Sequence, residues 1–428
     1  MQHVVGLGGT WGNTSTLLSR HQPWIYALVC LVPYLTLVSL LRFHRVNGLE
    51  MKYYYPAREA MGKMTGDEAW EIQRTIAQLE FPFSYTKGLQ FALFRTYGIP
   101  SISRLLAKTS QLSKPNTSFK RYADTSVLVS EFVGNAPSSA RARAALVRTL
   151  WLHRDYRRTG KISEADMLYT LSLFALSPIR FIETHEWRTL TQLEKCALGT
   201  FWKGIGDSLG IGYTLLLPSS SSSSSQGFRD GLDWLEKMAV WSEAYEAKYM
   251  VPDVCNKTIA DQTTEVLLYM LPAPLKHIGY YFVSFMMDAR LRTAMMYHPS
   301  PAVYSAIFAS LLTIRIIALR YLALPRPYFL RSTLWTEHPD SHGRFFLTSW
   351  AAAPYYVKPT FWNRWGLVAW FTWLLGKPVP GDEQARYYPQ GYYIPDVGPK
   401  NFEGQGHDTM DRLGEEMGEA RRGCPFAI

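Results

Sequence analysis

One histidine in this sequence stands where redox chemistry could be done. His153, in Leu150-Trp151-Leu152-His153-Arg154-Asp155-Tyr156, shares a helical stripe with Leu146 and Leu150. A neutral imidazole on such a stripe can ligate iron when its other ring nitrogen is held by a hydrogen bond. A lone histidine on an apolar stripe is, however, more often a satisfied core side chain than a ligand, and spacing alone does not settle the matter. Upstream, Arg121 and Thr125 sit four residues apart, so a cation and a hydroxyl share one helix face with Leu128 and Phe132. Arg141, Arg143, Arg148, Arg154, Arg157 and Arg158 crowd the segment around His153. That density would suit the propionates of a haem, and a solvated helix face would show much the same.

Other candidates are weaker. His185, between Thr184 and Glu186, is the rival ligand, although a helix-surface histidine beside a carboxylate is usually structural. His277 and His407 rank below it. Gly204-Ile205-Gly206 and Gly210-Ile211-Gly212 lack the strand and lysine that phosphate cradles need. No GxSxG or HExxH occurs. The chain has 4 cysteines and no CxxC pair, which argues against a disulfide framework or a cysteine zinc site. Cys424 has too little chain after it for a thiolate-ligand loop, and it is one residue too far from the end for a prenylation box.

The elements that must position these residues read as helices. Gly66-Asp67-Glu68-Ala69-Trp70 opens one, another runs through Arg121 to Phe132, and a third from Ala140 to Tyr156 is capped by Ser138 or Ser139. Ser163 caps a fourth, whose apolar run Met167 to Leu176 is expected to end before Pro178. Ser219 to Ser225 reads as a flexible surface loop. A helix near Gly227 carries Trp234, Met238 and Trp241. After Gly376 the chain turns rich in Pro, Gly and Tyr, predicting an extended tail packed on the domain and a short helix around Thr409 to Glu419. Period-two alternation is scarce, so the fold class expected is all-α.

Composition sets the surroundings. The chain has 428 residues, 47% apolar and 19% charged, with 14% aromatics, which excludes disorder and suits an apolar pocket or membrane-facing surface. Lys and Arg outnumber Asp and Glu by 45 to 35, but the charge is scattered and no recognition motif accompanies it, which disfavours nucleic acid. Residues 24–41 carry no charge, and Arg42, His44, Arg45 and Lys52 follow, so a transmembrane signal anchor is expected with the N-terminus lumenal and the bulk cytosolic. On that topology Asn13 could be glycosylated, and Asn116 and Asn256 could not. Residues 301–324 and 365–376 are also apolar. Core helices are the plain reading, and an aromatic surface dipping into the bilayer is the sharper one. The expected organisation is 1–23 lumenal, 24–42 anchor, 43–400 helical domain, and 401–428 tail with a short helix.

At this point a resemblance adds to the residues. Gln78-Leu79-Glu80-Phe81-Pro82-Phe83, Phe91-Ala92-Leu93-Phe94-Arg95-Thr96-Tyr97-Gly98-Ile99-Pro100, Gly199-Thr200-Phe201-Trp202-Lys203 and Glu246-Ala247-Lys248-Tyr249-Met250-Val251-Pro252 closely resemble the MpaB-type membrane-bound oxygenases of fungal mycophenolic acid biosynthesis, relatives of the latex-clearing rubber oxygenases. The resemblance covers nearly the whole chain. It implies a single all-α domain with a globin-like core, a b-type haem, and dioxygen-dependent cleavage of a double bond in a farnesyl-type side chain. The rubber enzymes carry an Arg-x-x-Lys-Thr segment on the distal haem side and a histidine ligand some thirty residues later. Arg121, Thr125 and His153 match it, while Asp124 stands in place of the lysine. The resemblance thus implies His153 as iron ligand, Arg121 as both haem contact and catalytic donor, and Asp124 and Thr125 as catalytic. Expected partners are a lipophilic prenylated substrate, dioxygen and the endoplasmic reticulum membrane, crossed once, with a homodimer left open. A haem-dependent hydroxylase of another lipophilic metabolite and a non-enzymatic membrane-tethered scaffold remain the alternatives.

Overall fold

The computed structural model describes residues 23–216, 227–350, 352–420 and 425–426. The sequon at Asn13, the serine run from Ser219 and Cys424 lie outside them. Among the described residues the fold is all-α: the only β pairings are isolated bridges such as Phe345 with Tyr392.

Numbering only the helices used below, the chain forms α1 Pro23–Arg42, α2 Gly66–Thr75, α3 Pro82–Thr96, α4 Pro115–Gly134, α5 Ala140–Arg158, α6 Glu164–His185, α7 Gln192–Ser208, α8 Gly231–Tyr249, α9 Lys276–Met286, α10 Ala302–Tyr321, α11 Leu367–Leu374 and α12 His407–Ala420. Local chemistry sets most starts. Thr65 and Glu68 form a capping box at α2, and Pro82 and Pro115 occupy first-turn positions where their missing N–H costs nothing. Ser139, rather than Ser138, caps α5, and Ser163 caps α6 as expected. The helix expected near Gly227 begins after Asp230, which caps it.

One boundary differs from expectation. Helix α6 runs on through Pro178 to His185. A proline inside a helix removes one ladder bond and normally kinks or ends it. Here tertiary packing holds the helix together: α3 and α6 form the most extensive helix pair, and Gly88 of α3 lies so close that a Cβ there would meet the Pro178 Cα at 2.6 Å.

One hydrophobic core runs from Leu49 to Met417 and includes the fully buried Trp202 of α7 and Trp234 of α8. Ion pairs buried beside it fix helix against helix. Arg95 forks onto Glu246 at 2.7 and 2.6 Å, which also accepts from Tyr169 at 2.9 Å. Arg188 forks onto Glu194 at 2.7 and 2.8 Å. Several of the quoted runs are therefore structural.

The apolar stretch at 301–324 is not the core helix of the plain reading. Only Phe308 of α10 is buried. In the 365–376 stretch, α11 buries Ala369 and Thr372 and leaves Leu367 at 90% exposure. The tail behaves as expected: Tyr387, Tyr392, Ile394 and Val397 are buried on the domain, and α12 packs on α5.

Candidate functional site

A cavity of about 540 Å³ opens among α3, α4, α5, α6 and α7. That size lies in the usual range for small-molecule and cofactor sites. Its wall is mostly apolar, with Leu93, Phe94, Leu128, Phe132, Phe174 and Trp202 among the lining residues. Arg121, Asp124, Thr125 and His153 all line it as well. The two helices that carry them, α4 and α5, pack on each other across the short Asn135–Ser139 link. Helical spacing put each pair on a face; only packing put both faces on one cavity.

His153 Nδ1 lies 2.7 Å from the Thr149 carbonyl oxygen. That contact makes Nδ1 the protonated nitrogen and leaves the Nε2 lone pair for a ligand. Nε2 makes no hydrogen bond among the described residues. Burial holds the imidazolium below its ordinary value, and Arg121 and Arg157 push the same way against the Thr149 carbonyl. A neutral imidazole with a fixed tautomer, facing an apolar cavity, is the donor chemistry a haem iron takes. The residues present therefore fit that group.

Arg121 and Thr125 form a local unit. The guanidinium Nη1 donates to Thr125 Oγ1, and Oγ1 donates in turn to the Arg121 carbonyl at 2.8 Å. The threonine proton is therefore already engaged, and Thr125 positions Arg121.

Asp124 is 1% exposed. Tyr356 Oη donates to its Oδ1 at 2.6 Å, and Lys120 Nζ donates to Oδ1 and Oδ2 at 3.2 and 3.1 Å. Burial pushes its carboxyl up to about 6, against the pull of Lys120, Tyr356 and Arg121. Sequence reasoning missed both partners. Lys120 sits at i−4, a pairing spacing on a helix, and could have been found. Tyr356 lies 232 residues away and gave no signal. Lys120 also binds the Gly398 carbonyl at 2.5 Å and pairs with Glu403 at 3.1 Å, so it is tied to the tail.

The arginine cluster divides. Of the six, only Arg157 lines the cavity, and it is held by Glu164 at 2.8 Å and the carbonyls of Leu209 and Gly210. Arg141 pairs with the buried Glu131. Arg148, wholly buried, donates to the carbonyls of Val397 and Phe402 at 2.8 Å and of Gln405 at 3.1 Å, clamping the tail. Arg154 and Arg158 are exposed beside Asp155. Arg121 therefore borders the cavity together with Arg74, Arg157 and Lys161 as its cations.

The rival histidines lie elsewhere. His185 packs edge-on to Phe181, and its carbonyl accepts from Arg315. His277 contacts Tyr281, and His407 Nε2 sits 2.8 Å from Asp396. None lines the cavity. Among the described residues no three His, Cys, Asp or Glu side chains cluster to hold a metal by themselves.

No family model matches the chain. Curated relatives do. The chain is 54% identical over 411 residues to the ER-bound oxygenase mpaB′ of Penicillium brevicompactum, covering 95% of this chain and 96% of that protein. It is 49% identical over 372 residues to the ER-bound oxygenase mpaB of the same species, 87% of each chain. Over 286 residues it is 52% identical to the ER-bound oxygenase mpaB of Penicillium roqueforti, covering 67% of this chain and 94% of that one.

Proposed function

This chain belongs to the mpaB family of ER-bound oxygenases, and from that membership we propose that it is a membrane-anchored haem oxygenase cleaving a carbon–carbon double bond in the farnesyl-type side chain of a meroterpenoid. As a member of an oxygenase family it is an oxidoreductase, which sets the scaffold alternative aside.

The observation that carries the reading is His153, its tautomer set by Thr149 and its free nitrogen in an apolar cavity shared with Arg121. When bound, a b-type haem supplies an iron centre that activates dioxygen. The chain's own residues do the rest. The apolar wall takes the prenyl chain and excludes water. Arg121, held by Thr125, presents N–H donors where negative charge develops on oxygen. Asp124, its carboxyl at about 6, can take up and return a proton, with Tyr356 and Lys120 fixing its orientation. Each atom of dioxygen ends as a carbonyl oxygen on one of the two fragments, so no external reductant is consumed. The anchor follows from a substrate that partitions into lipid, with the N-terminus lumenal and the helical domain in the cytosol.

The test uses the purified full-length protein. A Soret band should be present and should be lost in His153→Ala; a full band and full activity in that variant would refute the ligand. Arg121→Ala should keep haem and lose turnover. Incubation with prenylated phenols under isotopically labelled dioxygen should give a shortened chain ending in a labelled carbonyl. A product that gains oxygen with its chain intact would replace cleavage by hydroxylation.

A further inference from the structure

Helix α10 presents a face that no described part of the protein covers. Val303, Ile307, Leu311, Ile314, Ile317 and Tyr321 form one outward stripe, each between 47% and 69% exposed. A water-facing helix carries charge on such a stripe, and this one carries none. The only ionisable groups of the helix besides its tyrosines, Arg315 and Arg320, turn inward. Arg315 pairs with Glu186 at 2.7 Å, and Arg320 donates to the Trp187 carbonyl at 3.2 Å. The other face is docked on α9: Tyr304 packs at a tilt against Tyr281, and Phe308 packs edge-on against Phe282 and at a tilt against Phe285.

Two features select the occupant. At 20 residues and a mean hydropathy of 2.0, α10 is apolar enough to enter a bilayer. It also adjoins the anchor: Tyr34 of α1 donates to the Leu322 carbonyl at 2.5 Å, and Arg42 at the end of α1 donates to the Ala323 carbonyl. The apolar surface continues through Leu322, Leu324 and Phe329, the last at 79% exposure. A spanning helix would leave the domain behind, whereas α10 is held to it from Tyr304 to Arg320. We propose that α10 lies in the plane of the membrane interface, its outward stripe in lipid acyl chains, as a second membrane contact beside α1. Such a helix is an interfacial one, held by buried apolar area. It rests on α1 being the anchor, and it prevents the domain from swivelling about that single helix.

The full chain, with its native cysteines replaced by serine, should be labelled with an environment-sensitive fluorophore at Leu311→Cys or Ile307→Cys, and at Glu415→Cys as a water-exposed control. After reconstitution into phosphatidylcholine vesicles, both stripe probes should emit to the blue of the control. Lipids spin-labelled near the glycerol should quench them more than lipids labelled near the chain end. Stripe probes as hydrated as the control would overturn the proposal. So would strongest quenching from the chain end, which marks a span, or an interchain disulfide through Leu311→Cys without lipid quenching, which marks a second copy. Loss of α1 insertion, read by alkaline extraction of the unlabelled protein, would instead count against the anchor.

Discussion

Asp124 shows how burial and pairing oppose each other at one residue. Removed from water, its carboxyl would hold its proton well above the usual range; Lys120 and Tyr356 pull it back to about 6. If the protonated acid is the working form, turnover falls as pH rises through about 6, and Asp124→Asn flattens that limb of the pH–rate profile. Tyr356→Phe removes a donor that favours the carboxylate, so the same limb should move to higher pH. Unshifted profiles in both variants would remove Asp124 from proton transfer. Thr125 makes a different prediction. Its hydroxyl proton is taken by the Arg121 carbonyl, so Thr125→Val should leave haem content intact and cost about tenfold in kcat, roughly 1.4 kcal/mol. Thr125→Ser, which keeps the hydroxyl, should restore most of it. Loss of the Soret band in Thr125→Val would show a haem-holding role instead.

Two contacts between elements decide whether those residues meet. Helix α3 reaches α6 only because Gly88 has no side chain where Pro178 passes. Gly88→Val should destabilise the protein by about 1–3 kcal/mol through overpacking, read as a lower thermal midpoint. The tail depends on Arg148, whose guanidinium meets the carbonyls of Val397, Phe402 and Gln405. Arg148→Met leaves those carbonyls without their charged donor. Limited proteolysis should then cut between Gly376 and His407, where the wild-type chain, with Tyr387, Tyr392, Ile394 and Val397 buried, should resist. Since Lys120 is tied to Gly398 and Glu403 of the same tail, the cavity's acid should lose its orientation with it. On the proposed function the haem content should survive that change, separating the tail's contribution from that of the proposed ligand His153.

The described residues combine an apolar anchor, a helical domain that holds the His153 cavity, and an exposed apolar side next to the anchor. On the proposed topology a single glycan should appear in microsomes, lost with Asn13→Gln. Asn256 could not serve in either orientation, because its amide donates to the carbonyls of Gly98, Val251 and Ala294 in the buried core. A shift that survived Asn13→Gln would reverse the assigned sidedness.

Composition and periodicity alone determined the helical class, the anchor, the starts of α5 and α6 and the residues worth watching, since capping and amphipathic spacing act over a few residues. Arg121 and Thr125 on one face and His153 on its stripe were legible for that reason, whereas Asp124 and the roles of all four came only with the family resemblance. The tertiary structure decided what lay far apart in sequence: that His153 borders a cavity while His185 does not, that Arg141 and Arg148 serve Glu131 and the tail, and that Tyr356 reaches Asp124. It also decided that α10 faces outward, because an apolar stretch reads the same whether protein or lipid covers it. Sequence fixes which groups leave water; only packing says what they meet there.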